Sequence, residues 1–496
     1  MSSSKITSVF SSIATELGIF SLLHSPRDTK LLCLQRFIRL FAYGASMLIL
    51  ALYLSSLGTS DARIGLFMTL TLLGDVIISF LLTLVADSLG RRRILMLGAG
   101  LMTVSGVVFA LSDHYWILVI ASIVGVISPS GNEIGPFRAI EESTLAHLTP
   151  KDIRSDIFAW YTLMGSAGTA IGTITCGWLV QALLSGGWSD VRAYRAVFGI
   201  YAVLGLVKLG LSVMLSENCE PEPPKQEYQE VVEMDDADAR SLLSDSEEEE
   251  ADPSSRNDPI QKETQPDRMS QKAQQETPSK KSTFSAFSSI SPQSRSTLIK
   301  LCLLFAVDSG ASGLVPPTWI TYFFTRKFNL PEGQLGTLFF VTSIVAAVGT
   351  LAASSIARRI GLIKTMVLTH LPSSIFLALI PLPPQAWLAM TFLILRHSMS
   401  SMDQAPRQAF LSSAVLPNER TAVMGIVNVV KTLSQSVGPV GTGALAGVGK
   451  FWIAFLIAGA MKAGYDLGLL KMFLGFRGRE GEEVGKRGRG QERGQA

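Results

Sequence analysis

The sequence predicts an all-α membrane protein: twelve transmembrane helices in two pseudo-symmetric six-helix halves. Three observations carry this. Of the 496 residues, 48% are hydrophobic and only 17% are charged, and the mean hydropathy is +0.34, too apolar for a soluble chain of this length. Twelve apolar stretches are long enough to span, since about 20 helical residues cross the hydrocarbon. The chain also repeats itself: a shift of about 271 positions lays Gly65 on Gly336, Thr71 on Thr342, Gly90 on Gly361, Arg93 on Lys364 and Trp116 on Trp387.

In chain order, residues 1–36 read as a cytoplasmic N-terminal segment. Ile6 to Leu23 looks amphipathic but shows no apolar core followed by a small-residue cleavage site, so the first span is expected to be the insertion signal. The N-terminal half, 37–216, holds spans at 37–57, 64–86, 94–111, 115–146, 157–184 and 194–215. The C-terminal half, 297–473, holds spans at 297–324, 335–357, 363–382, 386–415, 421–446 and 451–473, and a basic tail follows at 474–496. An even number of spans puts both termini on one side. Arg91 to Arg93, Lys151, Arg154, Arg358, Arg359, Lys364 and Arg420 fall in turns on that same side, which the positive-inside rule makes cytoplasmic. The opposite turns carry fewer bases, among them Arg192, Arg195, Arg326 and Lys327.

The net charge of +3 hides a segregation, because 19 acidic and 9 basic residues lie between Glu217 and Arg295. The linker 217–296 is rich in Pro, Ser, Gln, Glu and Asp and cannot bury enough apolar surface to offset its ordering entropy, so disorder is expected. Within it, Ser244 to Glu250 looks like a substrate of an acidic-directed kinase. Asp238 to Leu243 resembles the acidic dileucine signal that adaptor complexes read on endolysosomal and vacuolar cargo. A plain solvated linker is the alternative to both. The expected location is therefore a vacuolar, endolysosomal or plasma membrane. Cys33, Cys176, Cys219 and Cys302 have neither metal-ligand spacing nor a disulfide pattern, and no cofactor or metal is expected.

Between the second and third spans lies Asp87-Ser88-Leu89-Gly90-Arg91-Arg92-Arg93. It resembles the Gly-x-x-x-Asp-Arg-x-Gly-Arg-Arg signature of the major facilitator superfamily: Asp87, Gly90, Arg91 and Arg92 match, while Thr83 and Ser88 replace the first Gly and the first Arg. The second half keeps the glycine and the basic character in Arg358 to Lys364 but lacks the acid. The resemblance implies a fungal-like secondary transporter working by alternating access of its halves, with Asp87, Gly90, Arg91 and Arg92 as gating residues. Asp87 would face the positive N-terminal end of the eleventh span near Thr421 in the outward-open state.

Charges at membrane depth are costly and thus candidate functional groups. At about 1.5 Å per residue, Asp75 and Asp308 fall roughly 16 Å into their spans, and Arg396 and Lys431 roughly 15 Å. The superfamily's template lines the central cavity with spans 1, 4, 7 and 10, and sets span 2 against span 11. It therefore implies that Asp308 and Arg396 face the substrate and proton path, with Asp308 carrying a coupling proton, and that Asp75 meets Lys431 across the seam. Ser309, Ser312, Pro316, Pro317 and Trp319 suggest a broken, polar-lined seventh span. Lys208 and Asp466 lie near span ends and are expected to snorkel. Glu133 to Ala139 and Asp403 to Ala409 share an acid, a Pro three residues on and an Ala three further. With Arg138 and Arg407 nearby, Glu133 and Asp403 read as inner-gate elements. Gly165, Gly168, Gly172 and Gly177, and Gly438 to Gly443, permit close helix approach.

No P-loop, zinc set or nucleophile elbow is present, and His147-x-x-x-x-Asp152 lacks the pocket motifs of an acyltransferase, so neither an enzyme nor a nucleic-acid binder is expected. The expected partners are the bilayer, a small-molecule substrate, protons, and kinase and adaptor proteins on the linker, around a monomer. A non-transporting nutrient sensor on the same fold and a facilitated uniporter are the alternatives. Mixed midplane charge suits anionic, zwitterionic and cationic substrates alike.

Overall fold

In a computed structural model, the described residues are 18–125, 127–130, 136–220, 292–415 and 419–473. They form helices and turns, with no strand among them. The tail, most of the linker and Glu133 lie outside the described residues, as do the side chains of Thr83, Asp87 and Ser88. A short α1 (Ile19–His24) precedes the first half: α2 (Arg27–Ser56), α3 (Asp61–Leu89), α4 (Arg91–Leu111), α5 (Tyr115–Gly125), α6 (Pro136–Leu148), α7 (Arg154–Ser185) and α8 (Asp190–Val213). The second half comprises α9 (Pro292–Leu314), α10 (Pro317–Phe328), α11 (Glu332–Ile360), α12 (Leu362–Leu379), α13 (Ala386–Ser400), α14 (Gln404–Ala414), α15 (Arg420–Gly447) and α16 (Phe451–Phe473).

Among the described residues nine helical segments are long and apolar enough to cross a membrane. The other three expected spans are those that proline or polarity interrupts. The fourth is divided into α5 and α6, the tenth into α13 and α14, and the eleventh, α15, carries Lys431, Gln435 and Pro439 along its length. Each break lies just upstream of a proline: Pro136 opens α6 and Pro406 sits in the first turn of α14, where its missing N–H costs nothing. The seventh span breaks at Pro316 and Pro317, with Pro317 at the start of α10. The first span differs from expectation in starting at Arg27, ten residues early, with the carboxylate of its first turn bonded inside the bundle. Asp28 there accepts a hydrogen bond from the Ser216 backbone N–H at 3.2 Å.

The repeat is visible in the backbone. Gly90 and Gly361 occupy equivalent turns with φ of 89° and 88°, a conformation that favours glycine. This is the physical content of the glycine in the signature. Glu220 completes the first turn, accepting from the backbone N–H groups of Arg91 at 2.7 Å and Arg92 at 3.1 Å at the start of α4. A carboxylate there suits the unpaired N–H groups and the helix dipole.

The halves meet along α3 with α15, α7 with α11, and α2 with α10. Glycines make the first two seams close: a Cβ on Gly65 would lie 3.0 Å from the Gly443 Cα, and one on Gly177 would lie 3.0 Å from the Gly336 Cα. Gly65 and Gly336 are repeat equivalents, so each seam uses one of them. Asp61 and Glu332, also equivalent, add polar links across the halves: Tyr322 donates to Asp61 at 2.7 Å, beside an Asp61–Arg326 ion pair, and Tyr194 donates to Glu332 at 2.7 Å. All of these contacts lie at the end remote from Arg91 to Arg93. One apolar core there joins both halves, from Phe67 and Tyr53 to Trp319 and Phe451. At the basic end each half keeps its own core, around Ile94 and Tyr161 in one and Phe305 and Leu469 in the other.

If glycine contact closes this end, Gly65→Val should force the seam apart. A cysteine at Thr318, fully buried here, should then become reactive to an impermeant thiol reagent applied from that side. Unchanged protection would show that the crossing does not close the bundle.

Candidate functional site

A cavity of about 640 Å³ lies between the halves. Its walls come from α2, α7, α11 and α13, with Ser130, Arg138 and Gln404 at the breaks of the fourth and tenth spans. Hydroxyl side chains such as Thr162, Ser166, Thr169, Thr342 and Ser343 dominate, and the charged groups on it among the described residues are Arg36, Arg138 and Arg396. Of the path residues expected from sequence, only Arg396 borders it.

Among the described residues Arg396 makes no ion pair, and its Nε has no hydrogen-bond acceptor. Next to it, His397 uses its Nδ1 on the Leu393 carbonyl at 3.0 Å. Arg36 comes from the opposite half. Its guanidinium stacks 4.4 Å above the Tyr161 ring and donates to the Tyr161 hydroxyl at 3.2 Å. Gly165 makes room for it, since a Cβ there would lie 2.8 Å from Arg36 Nε. Gly168 lets α7 approach the backbone of α2, its Cβ position being 2.5 Å from the Phe37 carbonyl oxygen. Tyr161 is positioned in turn by Glu141, to which it donates at 2.6 Å.

Glu141 is the centre of a buried ion cluster in the first half, with Arg39 at 2.8 Å and Lys208 at 3.4 Å. Lys208 is 1% exposed. The snorkelling expected of it is therefore corrected, because a buried carboxylate lies within its reach.

The second half repeats the arrangement with the acid moved from the fourth span to the first, a base in its place on the fourth, and a lysine again on the sixth. Asp308 on α9 binds Arg407 of α14 at 2.8 Å and Lys462 of α16 at 2.7 Å, with His370 Nε2 at 3.7 Å. In both halves the cluster draws on the first, fourth and sixth spans. Asp308 thus points into its own half rather than onto the cavity, which corrects its expected place on the substrate path. Asp403 pairs with Arg407 inside the same cluster, and so this pair does not reach across the halves. Asp466, expected to snorkel, is fully buried and bonded to His370 Nδ1 at 2.9 Å.

Asp75 and Lys431 are not brought together, although their helices do pack. Asp75 is 3% exposed, its Oδ1 has no hydrogen-bond partner among the described residues, and its polar neighbour is Ser128. Lys431 lies on the other side of its helix, 5.7 Å over the Phe305 ring and within electrostatic reach of Asp308 and Asp403. Arg138 borders the cavity and pairs with Glu142 at 2.7 Å. Arg92 ties the signature turn to the end of α8 by donating to the Val213 carbonyl at 2.7 Å.

Glu141, Arg36, Arg39, His370 and Lys462 were missed by sequence reasoning. Lys462, mid-helix in α16, was detectable by the same depth count that picked out Asp308. The four cysteines are free. Cys219, beyond the last helix of the first half, is buried, and burial followed by the charge of Asp28 pushes its thiol up to about 12, which leaves it inert.

The sequence profile of the Major Facilitator Superfamily matches residues 32–291 and 301–493. The chain is 39% identical over 458 residues to the uncharacterized membrane protein YJR124C of Saccharomyces cerevisiae, covering 91% of this chain and 95% of that one. Among solved structures, the nucleoside transporter NupG superposes with a TM-score of 0.61 at 15% identity, over 90% of this chain and 99% of that one. The xylose transporter XylE from E. coli, in an inward open conformation, superposes with a TM-score of 0.60 at 15% identity, over 90% and 95%.

The Asp308 cluster predicts a coupled pair of effects. Asp308→Asn and Lys462→Met each strand a buried charge and should cost roughly 3 to 5 kcal/mol, seen as a lower melting temperature of detergent-extracted protein. The double variant leaves Asp403 paired with Arg407 and should recover most of that loss. Strictly additive losses would contradict the pairing.

Proposed function

The chain belongs to the Major Facilitator Superfamily, and on that footing we propose that it carries a small solute through the central cavity by alternating access, coupled to protons. As a member it is an integral membrane transport protein and not an enzyme. The observation that carries the reading is the asymmetry of the apolar cores: one core joins the halves at one end, and two separate cores flank the cavity at the other. A cavity that reaches one end only is what a carrier caught in one of its two states presents.

The positive-inside rule makes the open end cytoplasmic, so this state is inward-open. Closing it would bring together the basic ends of the halves, where Asp87, Gly90, Arg91, Arg92, Glu133 and Arg138 belong to the first half. Those residues are the proposed inner gate, with Asp87 meeting the N-terminal end of α15. Asp403 and Arg407 serve instead to hold the second half rigid. The coupling proton is assigned to Asp75 in place of Asp308. Asp308 is held by two cations, whereas no ion pair among the described residues engages Asp75, which sits on a helix of the proposed moving seam. The Asp238 to Leu243 element supports a vacuolar or endolysosomal membrane, with adaptor and kinase contacts through the linker.

Asp75→Asn is the test. In proteoliposomes it should abolish accumulation driven by a pH gradient while leaving counterflow exchange of the same solute. Accumulation at the wild-type rate would remove Asp75 from coupling, and a wild-type protein that moves nothing from a broad metabolite panel would contradict transport itself.

A further inference from the structure

The buried acids Asp308, Glu141 and Asp75 are all withdrawn from the cavity. Asp308 is neutralised by Arg407 and Lys462, and Glu141 by Arg39 and Lys208. Asp75 lies away from the lining. What remains on the cavity surface among the described residues is cationic or neutral: arginines, His397 and a set of hydroxyls, with no Asp or Glu. Arg396 is the critical group, because among the described residues it has no ion pair and its Nε lacks an acceptor. Asp308 acts on it only from a distance; a cation at membrane depth without a contacting counter-charge is costly, and a cost retained at a cavity wall points to a ligand that removes it.

From this arrangement we infer that the cavity binds an anionic solute through a carboxylate or phosphate group, gripped by Arg396 and faced by Arg36 from the other half. The inference rests on the cavity being the solute site of the transport reading. Guanidinium is the side chain best matched to those groups, since its planar fork donates two parallel hydrogen bonds to paired oxygens. Arg36 is prepared for the role by its surroundings: Tyr161 orients it, Glu141 fixes Tyr161, and Gly165 leaves its space open. The hydroxyls of Ser343 and Thr169 donate here to carbonyls of their own helices, at 2.8 Å to Phe339 and 3.3 Å to Gly165, and rotation about χ1 would turn them to the remaining oxygens. With one arginine on α2 and the other on α13, an anion between them would link the two halves, and its charge would be counted in any step that brings them together.

The test uses the full chain with Ser343→Cys on the cavity wall, in membranes opened to both faces. It is labelled with an anionic sulfonate or a cationic trimethylammonium methanethiosulfonate reagent, and the chain without that cysteine serves as blank. Relative to a cysteine at exposed Ser189, the anionic reagent should be favoured about tenfold, as in a cleft of one charge sign. Arg396→Gln should bring the ratio close to that of the reference, and Arg396→Lys should keep most of it. Inorganic phosphate or citrate should protect the cysteine, the protecting arm identifying the group bound, while xylose and lysine should not. A ratio at or below the reference, a ratio unmoved by Arg396→Gln, or protection by lysine alone would overturn the inference. Flux in proteoliposomes separates the two levels. Anion preference without flux of any solute contradicts transport and leaves the anion site standing. Flux of a cationic solute without anion preference does the reverse.

Discussion

The two halves touch at one end through glycine, and the rest of the arrangement depends on that contact. Where Gly65 meets Gly443 and Gly177 meets Gly336, no side chain separates the backbones, so crossing helices approach as closely as chemistry allows. Small residues do not interlock. The polar links beside them are individually weak, an ion pair with an exposed member such as Asp61–Arg326 being worth about 0 to 1 kcal/mol. An end closed this way can open again at modest cost. At the opposite end no equivalent glycine contact joins the halves among the described residues, and the cavity lies between them there.

Alternating access as proposed requires that each half be stiff. The buried clusters supply this, since Glu141 with Arg39 and Lys208 ties three helices of the first half, and Asp308 with Arg407 and Lys462 ties three of the second. Buried pairs add little net stability, but breaking one strands a charge in low dielectric. They therefore penalise distortion within a half and are indifferent to rotation of one half against the other. They also draw the acids inward, which is why the cavity wall is left with arginine.

Much of the fold was legible in the sequence because its signals are local. Apolar stretches, the glycine at the signature turn, the prolines that divide spans and the Gly65/Gly336 correspondence each report on a few neighbouring residues or on the repeat. The site was less legible for a geometric reason. Counting residues from a span end gives depth, but with about 100° of rotation per residue a small error in phase turns a side chain from the cavity to the core. Asp308 and the Asp75–Lys431 pair failed in that way. Lys208 and Asp466 failed for another reason, since snorkelling is the expectation only when no buried partner exists, and Glu141 and His370 come from distant parts of the chain. The polar first turns of α2 hid Arg36 by ending the apolar stretch too early.

The central claim is that the ends of the bundle open in turn, and distances between spin labels on the two halves test it most directly. One pair would sit at the basic end, on Lys151 and Arg359, and the other at the far end, on Ser189 and Gln385, all exposed here. Under conditions that drive turnover, the account predicts two populations in which a shorter distance at the basic end accompanies a longer one at the far end. A single unchanging distance at both ends, or two distances that lengthen together, would contradict it.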